Sequence, residues 1–586
     1  MKKTLVLVAL LFAAVNLMAE PIGEQRARQI ASEFFSQRAT RAAGDITLEW
    51  AGDNINESSA TGNALNSSLM YIYNRGTNGG FVVVAGDSNI TPILAYSFDM
   101  TLDTNNMAEA TKAILDAWCR QVESARKAAK PISGTTMRAA TRANDAILYE
   151  TALWNQEEPY NREAPVYNGA RSVTGCVATA MSIICYYHRW PEKGMGTTPE
   201  YSYNDYYGIY RTVEANTLGR KYEYDKMLMS YTGSNYTDEQ ANAVAALMKD
   251  LGTSVMMSYH FTQSGAYDSN ALCAFANYFS YSKNARLTHG ATFSNEVWAE
   301  MIRENLRNYG PTYFSGGDVY GGGHAFVVDG FDSSDYFHFN FGWSGLGNGY
   351  YLIPSIDFYL RQAAILYLKP DKSGTSTYVD DLRLVTHSNE SYNYRGLKSD
   401  ATSYTTNSTF NCLLGGFANY GVTTFDGQVN LVLCDKDGMW KEVLHTINIT
   451  ALSPGYFSYL PRIITTSITT TIEQGDRLRL YYKGQNSTEW QWARSKDQAT
   501  IDDELLVIAT PKELAKGISF EYDKANGVMT FWSKHATTAR VYNADTNELI
   551  GSIGIEANNG ASYTSNASVI WEFTLGDEPY RITIKQ

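Results

Sequence analysis

The spacing of apolar residues along the first 370 positions alternates between the period of helices and the period of strands. Helical spacing is found at residues 24–37, 108–130, 176–190, 237–252 and 294–309. Thr237 is suited to begin one of these helices, and Gly252 is expected to follow its end. Ser294 or Asn295 is suited to begin the last helix, which Gly310 closes. The runs SLMYIYNR and GGFVVVAGD have strand character and are predicted to pair.

Helical spacing nearly vanishes beyond about residue 372, where short β runs are separated by turn residues. This spacing predicts one or two immunoglobulin-like β-sandwich modules, at 372–510 and 511–586. The fold class is therefore predicted to be α+β, with an α+β unit at 20–145, a second mixed unit at 146–371 and all-β modules at the end. The linker-like segment 131–148 is the part expected to be most open to proteolysis.

The first 19 residues have the pattern of a signal peptide, with Lys2 and Lys3 ahead of an apolar run that ends at Ala19. No later apolar run is long enough to span a membrane. The protein is thus expected to be secreted, or exported to the periplasm or the outer cell surface. The net charge of −13 argues against nucleic acid as a partner, and the spacing of Cys and His predicts neither a metal site nor a cofactor.

Two cysteines, Cys176 and Cys185, share the segment SVTGCVATAMSIICYYHRW. Nine steps of about 100° place their thiols on opposite sides of a helix, and Cys185 falls on an apolar stripe with Val177 and Met181. Cys176 is predicted in the first turn, where the positive end of the helix dipole lowers the pKa of a thiol. Packing is the commonest role of a cysteine, so this segment alone leaves both roles open for Cys176.

A nucleophilic thiol needs a base, and His324 is the candidate. It opens the strand HAFVVDGF, and a turn near Asp332 leads back into YFHFNFGW, so a hairpin is predicted to bring His324 opposite residues 340–343. Asn340 is then expected to accept a hydrogen bond from one ring nitrogen and leave the other facing the thiol. His338 is a rival base, but it lies on the same strand face as Asn340 and is expected to point alongside it.

Two further segments are candidates for the surroundings of the thiol. Gln156, in LWNQEEPYN, carries an amide that is suited to bind a developing oxyanion together with the backbone N–H of Cys176. The glycine-rich segment 316–323 is a candidate for a mobile wall of the cleft.

Together these segments resemble the streptopain family of papain-like cysteine peptidases, which includes interpain. The similar segments are NQEEPYN, TGCVATAMSIICYYHRWPEKG, GGGHAFVVDGFDSSDYFHFNFGWSG and MYIYNRGTNGGFVVVAGDSNITPILAYS. The resemblance extends over residues 25–371. It implies a papain-like peptidase of two subdomains at 146–371 and an inhibitory propeptide at 20–145, so the chain is predicted to be a zymogen.

The resemblance implies roles for five residues. Cys176 matches the nucleophile, and His324 matches the general base. Gln156 matches the glutamine of the oxyanion hole, while Asn340 and Trp343 match the motif that surrounds the histidine. The match departs from the family pattern directly after the asparagine, where this chain has a phenylalanine at 341. Which of the two rings shields the His–Asn contact therefore stays open.

These matches predict a secreted cysteine endopeptidase, made as an inactive precursor, that hydrolyses proteins through an acyl-enzyme. The resemblance also implies a preference for an apolar residue one position before the cleaved one, and activation cleavage is expected within 133–148. The alternatives are an acyl transferase of the transglutaminase type and a binding protein on an inactive peptidase fold. The β modules are candidates for binding a surface, a glycan or an export machinery, and a disulfide between Cys412 and Cys434 is left open.

Overall fold

The protein is seen here in a computed structural model. It describes residues 21–38, 44–128, 145–205, 207–233, 235–354, 359–384, 387–388, 393–394, 396–401, 403–455, 457–458, 462–473, 475–494, 503–507, 512–515, 517–523, 526–565, 567–575 and 578–584. The signal peptide predicted at 1–19 and most of the linker predicted at 131–148 lie outside the described residues.

The five predicted helices are present, and a sixth helix, α5, was not predicted. The helices are α1 Glu24–Arg38, α2 Glu109–Ala128, α3 Cys176–His188, α4 Asp238–Ser254, α5 Asp268–Asn277 and α6 Asn295–Tyr309. Thr237 caps α4 in a reciprocal pair with Gln240, and Ser294 caps α6 through the N–H of Val297. The expected stop at Gly252 is wrong, because α4 continues to Ser254. A Cβ at Gly252 would lie 2.1 Å from the Tyr259 hydroxyl, so this glycine serves close packing within the helix.

No helix in the described part of the chain is both long enough and apolar enough to cross a membrane. The strands of the first 371 residues are β1 Ile46–Gly52, β2 Met70–Arg75, β3 Phe81–Ala85, β4 Ile93–Ser97, β5 Ile147–Leu148, β6 Val166–Tyr167, β7 Ala170–Arg171, β8 Thr197–Thr198, β9 Tyr201–Asn204, β10 Tyr210–Val213, β11 Asn216–Thr217, β12 Arg286–His289, β13 Thr312–Gly317, β14 Gly323–Phe331, β15 Phe337–Asn340, β16 Gly349–Tyr351 and β17 Leu360–Leu366.

One antiparallel sheet joins the two α+β units. Its order is β1-β2-β3-β4-β16-β15-β14-β13-β17-β12, and β5 pairs with β14. The join is the pairing of β4 with β16, where Tyr96 lies opposite Tyr350 and Ala95 opposite Tyr351. Pairing of the two edges removes a free strand edge from each unit. Apolar side chains of both units also form a single buried cluster around this sheet.

Helix α3 packs between this sheet and helices α4 and α5. Its residues from Val177 to Tyr186 are all buried, so the helix is covered on every side rather than along one stripe. Cys185 is fully buried, as predicted, and Cys176 is only partly buried at the first position. The first turn of α3 is therefore the part that is open to a ligand.

The remaining strands form the two predicted β regions. They are β18 Leu382–Leu384, β19 His387–Ser388, β20 Asn393–Tyr394, β21 Leu397–Ser399, β22 Thr409–Leu414, β23 Phe417–Asn419, β24 Phe425–Cys434, β25 Trp440–Leu452, β26 Phe457–Ser458, β27 Arg462–Ser467, β28 Arg477–Gly484, β29 Gln491–Trp492, β30 Glu504–Leu506, β31 Lys512–Ala515, β32 Ile518–Asp523, β33 Val528–Ser533, β34 Thr537–Asn543, β35 Leu549–Ile555, β36 Asn559–Thr564, β37 Val569–Leu575 and β38 Glu578–Ile584.

Each β region has its own hydrophobic core. In the first, buried side chains of β18, β21–β25, β27 and β28 come together, among them Phe425 and Leu431. In the second, the sheets β31-β32-β33-β36 and β35-β34-β37-β38 pack around Phe531 and Trp571. We call these the first and second β modules.

Cys412 and Cys434 do not form a disulfide. Both thiols are free, and the two cysteines lie in different sheets, on β22 and β24. Cys434 Sγ instead lies 3.9 Å from the hydroxyl of Tyr481.

Candidate active site

Cys176 begins helix α3, and Gly175 turns the chain into it. Gly175 has φ 86° and ψ 145°, a conformation that essentially only glycine adopts. A Cβ at this position would lie 2.7 Å from Met257 Sδ and 2.9 Å from the carbonyl oxygen of Ser264. Glycine is thus required both by the backbone angle and by the close neighbours, and it fixes where the Cys176 thiol points.

His324 shares a cleft with Cys176. It is the second residue of β14 and pairs with Gly316 of β13, so the sheet holds its backbone. The cleft has a volume of about 220 Å³. Its lining consists of Cys176, Val177, Ser264, Gly265, Ala266, Tyr267, Asp268, Ser315, Gly316, Gly323, His324, Ala325 and Arg361.

Both candidate reacting groups are biased towards their uncharged forms. Burial raises the pKa of the Cys176 thiol, and the backbone N–H groups of Ala325 and Val177 offset this only in part. The fall in this pKa that the helix N-terminus predicts is therefore wrong for this arrangement, because loss of solvation outweighs the backbone N–H groups that favour the thiolate. Burial also lowers the pKa of the His324 imidazole, although Glu109 and Asp318 act in the opposite direction.

The glycine-rich segment before His324 is held in place at two points. Asp318 Oδ1 accepts hydrogen bonds from the N–H groups of Tyr320 and Gly322, at 2.8 and 2.9 Å. Arg361 Nη2 donates to the carbonyl oxygens of Gly321 and Gly322, both at 3.2 Å. The segment that the sequence suggested as a mobile wall is thus tied to β17 by an arginine side chain.

Replacing Arg361 with alanine is expected to loosen this segment and to lower kcat/KM by about tenfold, because small displacements of reacting groups are costly. Steady-state kinetics on the activated enzyme measure the effect. Arg171→Ala is the matched control, since Arg171 also bonds two backbone carbonyls, of Arg162 and Ala164, outside the cleft. Equal kinetics for both variants would contradict a role for Arg361.

Gln156 lies beside the cysteine segment through its backbone. Its carbonyl oxygen accepts a hydrogen bond of 3.0 Å from the N–H of Thr174, two residues before Cys176. The residues just before it lie against the segment after β15, because Asn155 Nδ2 donates to Ser344 Oγ at 3.1 Å. Gln156 itself is not among the residues that line the cleft.

The expected contact between Asn340 and His324 is absent. The predicted hairpin is formed, but Asn340 lies opposite Val327 rather than opposite His324. Its Nδ2 donates to Thr151 Oγ1 and to the Ala152 carbonyl, both at 2.9 Å. Its Oδ1 accepts from the N–H of Gly342 at 3.1 Å, so its hydrogen bonds go to residues other than the histidine.

His338, the rival base, lies in a separate buried network. Its Nδ1 is 2.5 Å from Asp329 Oδ1, and the other carboxylate oxygen accepts a hydrogen bond from Thr151. Burial disfavours the charged imidazole, yet the carboxylate outweighs it and raises the pKa of His338. Thr151 connects this network to Asn340. His338 is not among the residues that line the cleft.

Neither aromatic ring of the asparagine motif stacks on His324. Phe341 is buried and contacts the rings of Phe326, Phe339 and Tyr351. Trp343 is half-buried and packs against the cluster that the two α+β units share. In the described part of the chain, no ring contact to His324 is found.

The first α+β unit reaches the cleft side of the second. Glu109, in the first turn of α2, is close enough to raise the pKa of His324. Tyr96 donates a hydrogen bond of 2.7 Å to Asp332 in the turn of the β14–β15 hairpin, and Arg38 Nη1 lies 3.5 Å from the same carboxylate. The hairpin that carries the histidine is thus held from outside the peptidase unit.

Asp268, Ser315 and Arg361 also line the cleft, although the sequence analysis did not single them out. Asp268 accepts hydrogen bonds from the hydroxyls of Tyr313 and Ser315, at 2.6 and 2.8 Å. No motif marks them, since they meet only in the folded chain. Across the described ranges, no group of three or more His, Cys, Asp or Glu side chains is arranged to hold a metal ion.

Two protein families match separate parts of the chain. The Peptidase C10 family matches residues 154–351, and a family described as Spi protease inhibitor matches residues 19–122. Residues 352–586 lie outside both matches.

Among individual proteins, Streptopain of Streptococcus pyogenes serotype M28 is 31% identical over 355 residues, which are 57% of this chain and 85% of that protein. Thiol protease/hemagglutinin PrtT of Porphyromonas gingivalis is 30% identical over 378 residues, which are 62% of this chain and 41% of that protein. A solved fragment of Prevotella intermedia prointerpain A is 26% identical, with a TM-score of 0.45, over 57% of this chain and all of that fragment.

The cleft with a cysteine at a helix start, the α+β fold and the long match to Streptopain agree with one another. The chain belongs to the Peptidase C10 family of cysteine peptidases, and its peptidase unit follows an inhibitor domain of the Spi type.

Proposed function

We propose that the protein is an exported endopeptidase in which Cys176 is the nucleophile and His324 the general acid and base. The observation that carries the proposal is the shared cleft, where the first residue of α3 and the start of β14 present a thiol and an imidazole to the same space. The signal-like segment at residues 1–19 supports export.

In the acylation step, the Cys176 thiolate attacks the scissile carbonyl carbon and forms a C–S bond. The carbonyl oxygen becomes an oxyanion, which the backbone N–H of Cys176 and the side-chain amide of Gln156 are proposed to bind. The imidazolium of His324 then gives its proton to the amide nitrogen, the C–N bond breaks and the amine leaves. A thioester between Cys176 and the acyl half of the substrate remains.

In the deacylation step, neutral His324 takes a proton from water while the water oxygen attacks the thioester carbon. The C–S bond breaks, the carboxylic acid leaves, and the thiolate–imidazolium pair is restored. Asn340 and Trp343 are proposed to support the histidine only indirectly here, because the amide of Asn340 bonds to Thr151 and Ala152. Val177, Ala266 and Tyr267 supply the apolar cleft wall that supports a preference for an apolar residue one position before the cleaved one.

The inhibitor domain is proposed to keep this pair uncharged. Burial raises the pKa of Cys176 and lowers that of His324, so the neutral thiol and neutral imidazole are favoured over the reactive ion pair. Removal of the domain takes α2 and β4 away from the histidine hairpin and admits water. The loss of Glu109 lowers the pKa of His324, but burial is the larger effect in the precursor, so renewed solvation is expected to raise this pKa. The imidazolium then forms and stabilises the thiolate of Cys176.

The precursor is therefore expected to react slowly with a small alkylating reagent such as iodoacetamide at neutral pH, and to react faster as the pH rises. A raised thiol pKa means that the thiolate appears only on the alkaline side of the usual range. The activated enzyme is expected to react already at mildly acidic pH. Rates of Cys176 labelling against pH, measured by mass spectrometry, test this, and identical profiles for both forms would contradict it.

Activation cleavage is proposed to fall before Asp145, within 133–144, a range outside the described residues. From Asp145 onwards the chain is tied to the peptidase unit: Arg307 Nη2 donates to Asp145 Oδ2 at 2.6 Å, and Ile147 and Leu148 pair with β14. Tyr149 also donates its N–H to the Asp329 carbonyl at 2.9 Å.

Incubation of the purified precursor, followed by sequencing of the new termini, tests the proposed function. We expect a new N-terminus between residues 134 and 145 and the appearance of hydrolysis of casein. Cleaved substrate bonds are expected to have an apolar residue one position before the cleaved one. An added amine that is incorporated into products in place of water would instead indicate the acyl transferase alternative.

A further inference from the structure

The first β module supplies part of the hydrophobic core of the peptidase. Ala418, Tyr420 and Val422 are 1%, 5% and 1% exposed, and they belong to the same buried cluster as Val177 of α3. The segment Phe417–Val422, which we call the bracing segment, therefore closes a core that begins at the helix of Cys176.

The bracing segment bonds to the C-terminal half of α5. Asn277 Nδ2 donates a hydrogen bond of 3.0 Å to the Val422 carbonyl, and Cys273 Sγ lies 4.0 Å from the Gly421 carbonyl. The module also reaches the first turn of α5, because a Cβ at Gly455 would lie only 2.8 Å from Ser269 Oγ. Helix α5 is thus contacted by the module at both of its ends.

The bracing segment is itself firmly held by the module. Asn419 Nδ2 donates to the carbonyl oxygens of Thr423 and Leu452, at 2.7 and 2.8 Å, and Asn419 Oδ1 accepts from the N–H of Gly421 at 2.9 Å. Arg383 lies over the ring of Tyr420, which in turn meets the ring of His289 edge-on at 5.0 Å. Tyr420 is thus packed between the module and the peptidase unit, so a shift of the module would also shift its contacts in the peptidase unit.

The other end of α5 forms a wall of the cleft. Asp268, its first residue, binds the hydroxyls of Tyr313 and Ser315, and Asp268 and Ser315 line the cleft with Cys176 and His324. The helix is ten residues long and so acts as a rod of about 15 Å between the module and the cleft.

We propose that the bracing segment is a positioning element of the active site, which holds α5 and its cleft residue Asp268 against substrate, and that the first β module therefore stays on the activated enzyme. The inference rests on the proposed use of the Cys176 cleft. Loosening of the bracing segment is expected to weaken substrate binding more than the chemical step, since Asp268 lines the cleft from α5 while Cys176 and His324 lie on α3 and β14.

The test compares Tyr420→Ala with Tyr404→Ala in the full chain. Both tyrosines are buried in the first β module. Tyr404 packs against Phe410 of the same module and does not belong to the buried cluster of the peptidase. We expect Tyr420→Ala to raise KM for a peptide substrate about tenfold with kcat within about twofold, and Tyr404→Ala to leave both near wild type. Tyr420→Phe, which keeps the ring, is expected to restore the wild-type KM.

A milder variant covers the case in which Tyr420→Ala fails to fold. Asn277→Ala removes one hydrogen bond to the bracing segment and is expected to raise KM about threefold, whereas Asn308→Ala, at the end of α6, is not. Unchanged KM in Asn277→Ala, or a fully active self-processed enzyme that ends before residue 381, would overturn the proposal. Labelling of Cys176 by a peptide-based thiol reagent in the same samples separates this failure from failure of the proposed function, because only the latter abolishes labelling in the wild type.

Discussion

Replacing Cys176 with alanine is expected to leave the precursor uncut and to lower hydrolysis of casein by about 10⁴-fold or more, because loss of a nucleophile removes the covalent route altogether. Gel analysis of the incubated precursor and a casein assay measure the two effects. Maturation of the purified variant without added peptidase would contradict the assignment of Cys176.

Cys185→Ala is the matched control on the same helix. Its thiol is fully buried on the far side of α3, and burial raises its pKa to about 12, so it is neither accessible nor ionised at neutral pH. We expect this variant to mature and to cleave casein, with a free energy of unfolding lowered by about 1–2 kcal/mol. Loss of activity equal to that of Cys176→Ala would show that the helix, rather than one thiol, is what the reaction needs.

Gly175→Ala is expected to lower kcat/KM by about 100-fold while the sulfur is still present, because the new methyl group displaces the nucleophile. The added Cβ would meet Met257 Sδ at 2.7 Å and the Ser264 carbonyl at 2.9 Å, and one of these neighbours or the start of α3 must move. Steady-state kinetics after activation of the precursor by an added peptidase measure the loss.

Gly169→Ala separates displacement from backbone strain. Gly169 has φ +80°, close to the +86° of Gly175, but a Cβ there meets nothing within 4 Å. Both substitutions carry a strain of about 1–3 kcal/mol, so both are expected to lower stability, and only Gly175→Ala is expected to lose activity. A similar loss of activity in Gly169→Ala would contradict the argument from displacement.

Local features of the site could be predicted from the sequence because they depend on neighbouring residues. The start of α3 at Cys176 follows from Gly175 and the apolar run behind it, and the cap at Thr237 follows from its spacing to Gln240. The hairpin of β14 and β15 follows from strand alternation around the turn at Asp332. Each of these depends on fewer than about 20 consecutive residues.

The partners of Asn340 could not be predicted in this way. Thr151 and Ala152, which occupy its amide, lie almost 190 residues earlier in the chain, and only the folded sheet brings them to it. The prediction of a lowered pKa for Cys176 was wrong for the same reason. The N–H groups at the start of α3 belong to one helix, whereas the cleft around the thiol is lined by residues from distant parts of the chain, such as Asp268 and Ser315.

Contacts between units were also beyond the sequence. The pairing of β4 with β16 joins the edge strands of two units. Alternation of apolar and polar residues predicts each strand, but it does not indicate which strand of another unit will pair with it. Likewise, Ala418, Tyr420 and Val422 alternate as any strand of a β-sandwich does, and nothing local indicates that they complete a core in another unit.

The central claim, that Cys176 is the thiol that attacks the substrate, is tested most directly by trapping it. The activated wild-type enzyme is incubated with a peptide-based irreversible thiol reagent and then digested, and the modified residue is located by mass spectrometry. The account predicts one label per chain, on Cys176, with activity lost in proportion to labelling. Full loss of activity with the label on another cysteine, or full labelling of Cys176 with activity retained, would contradict it.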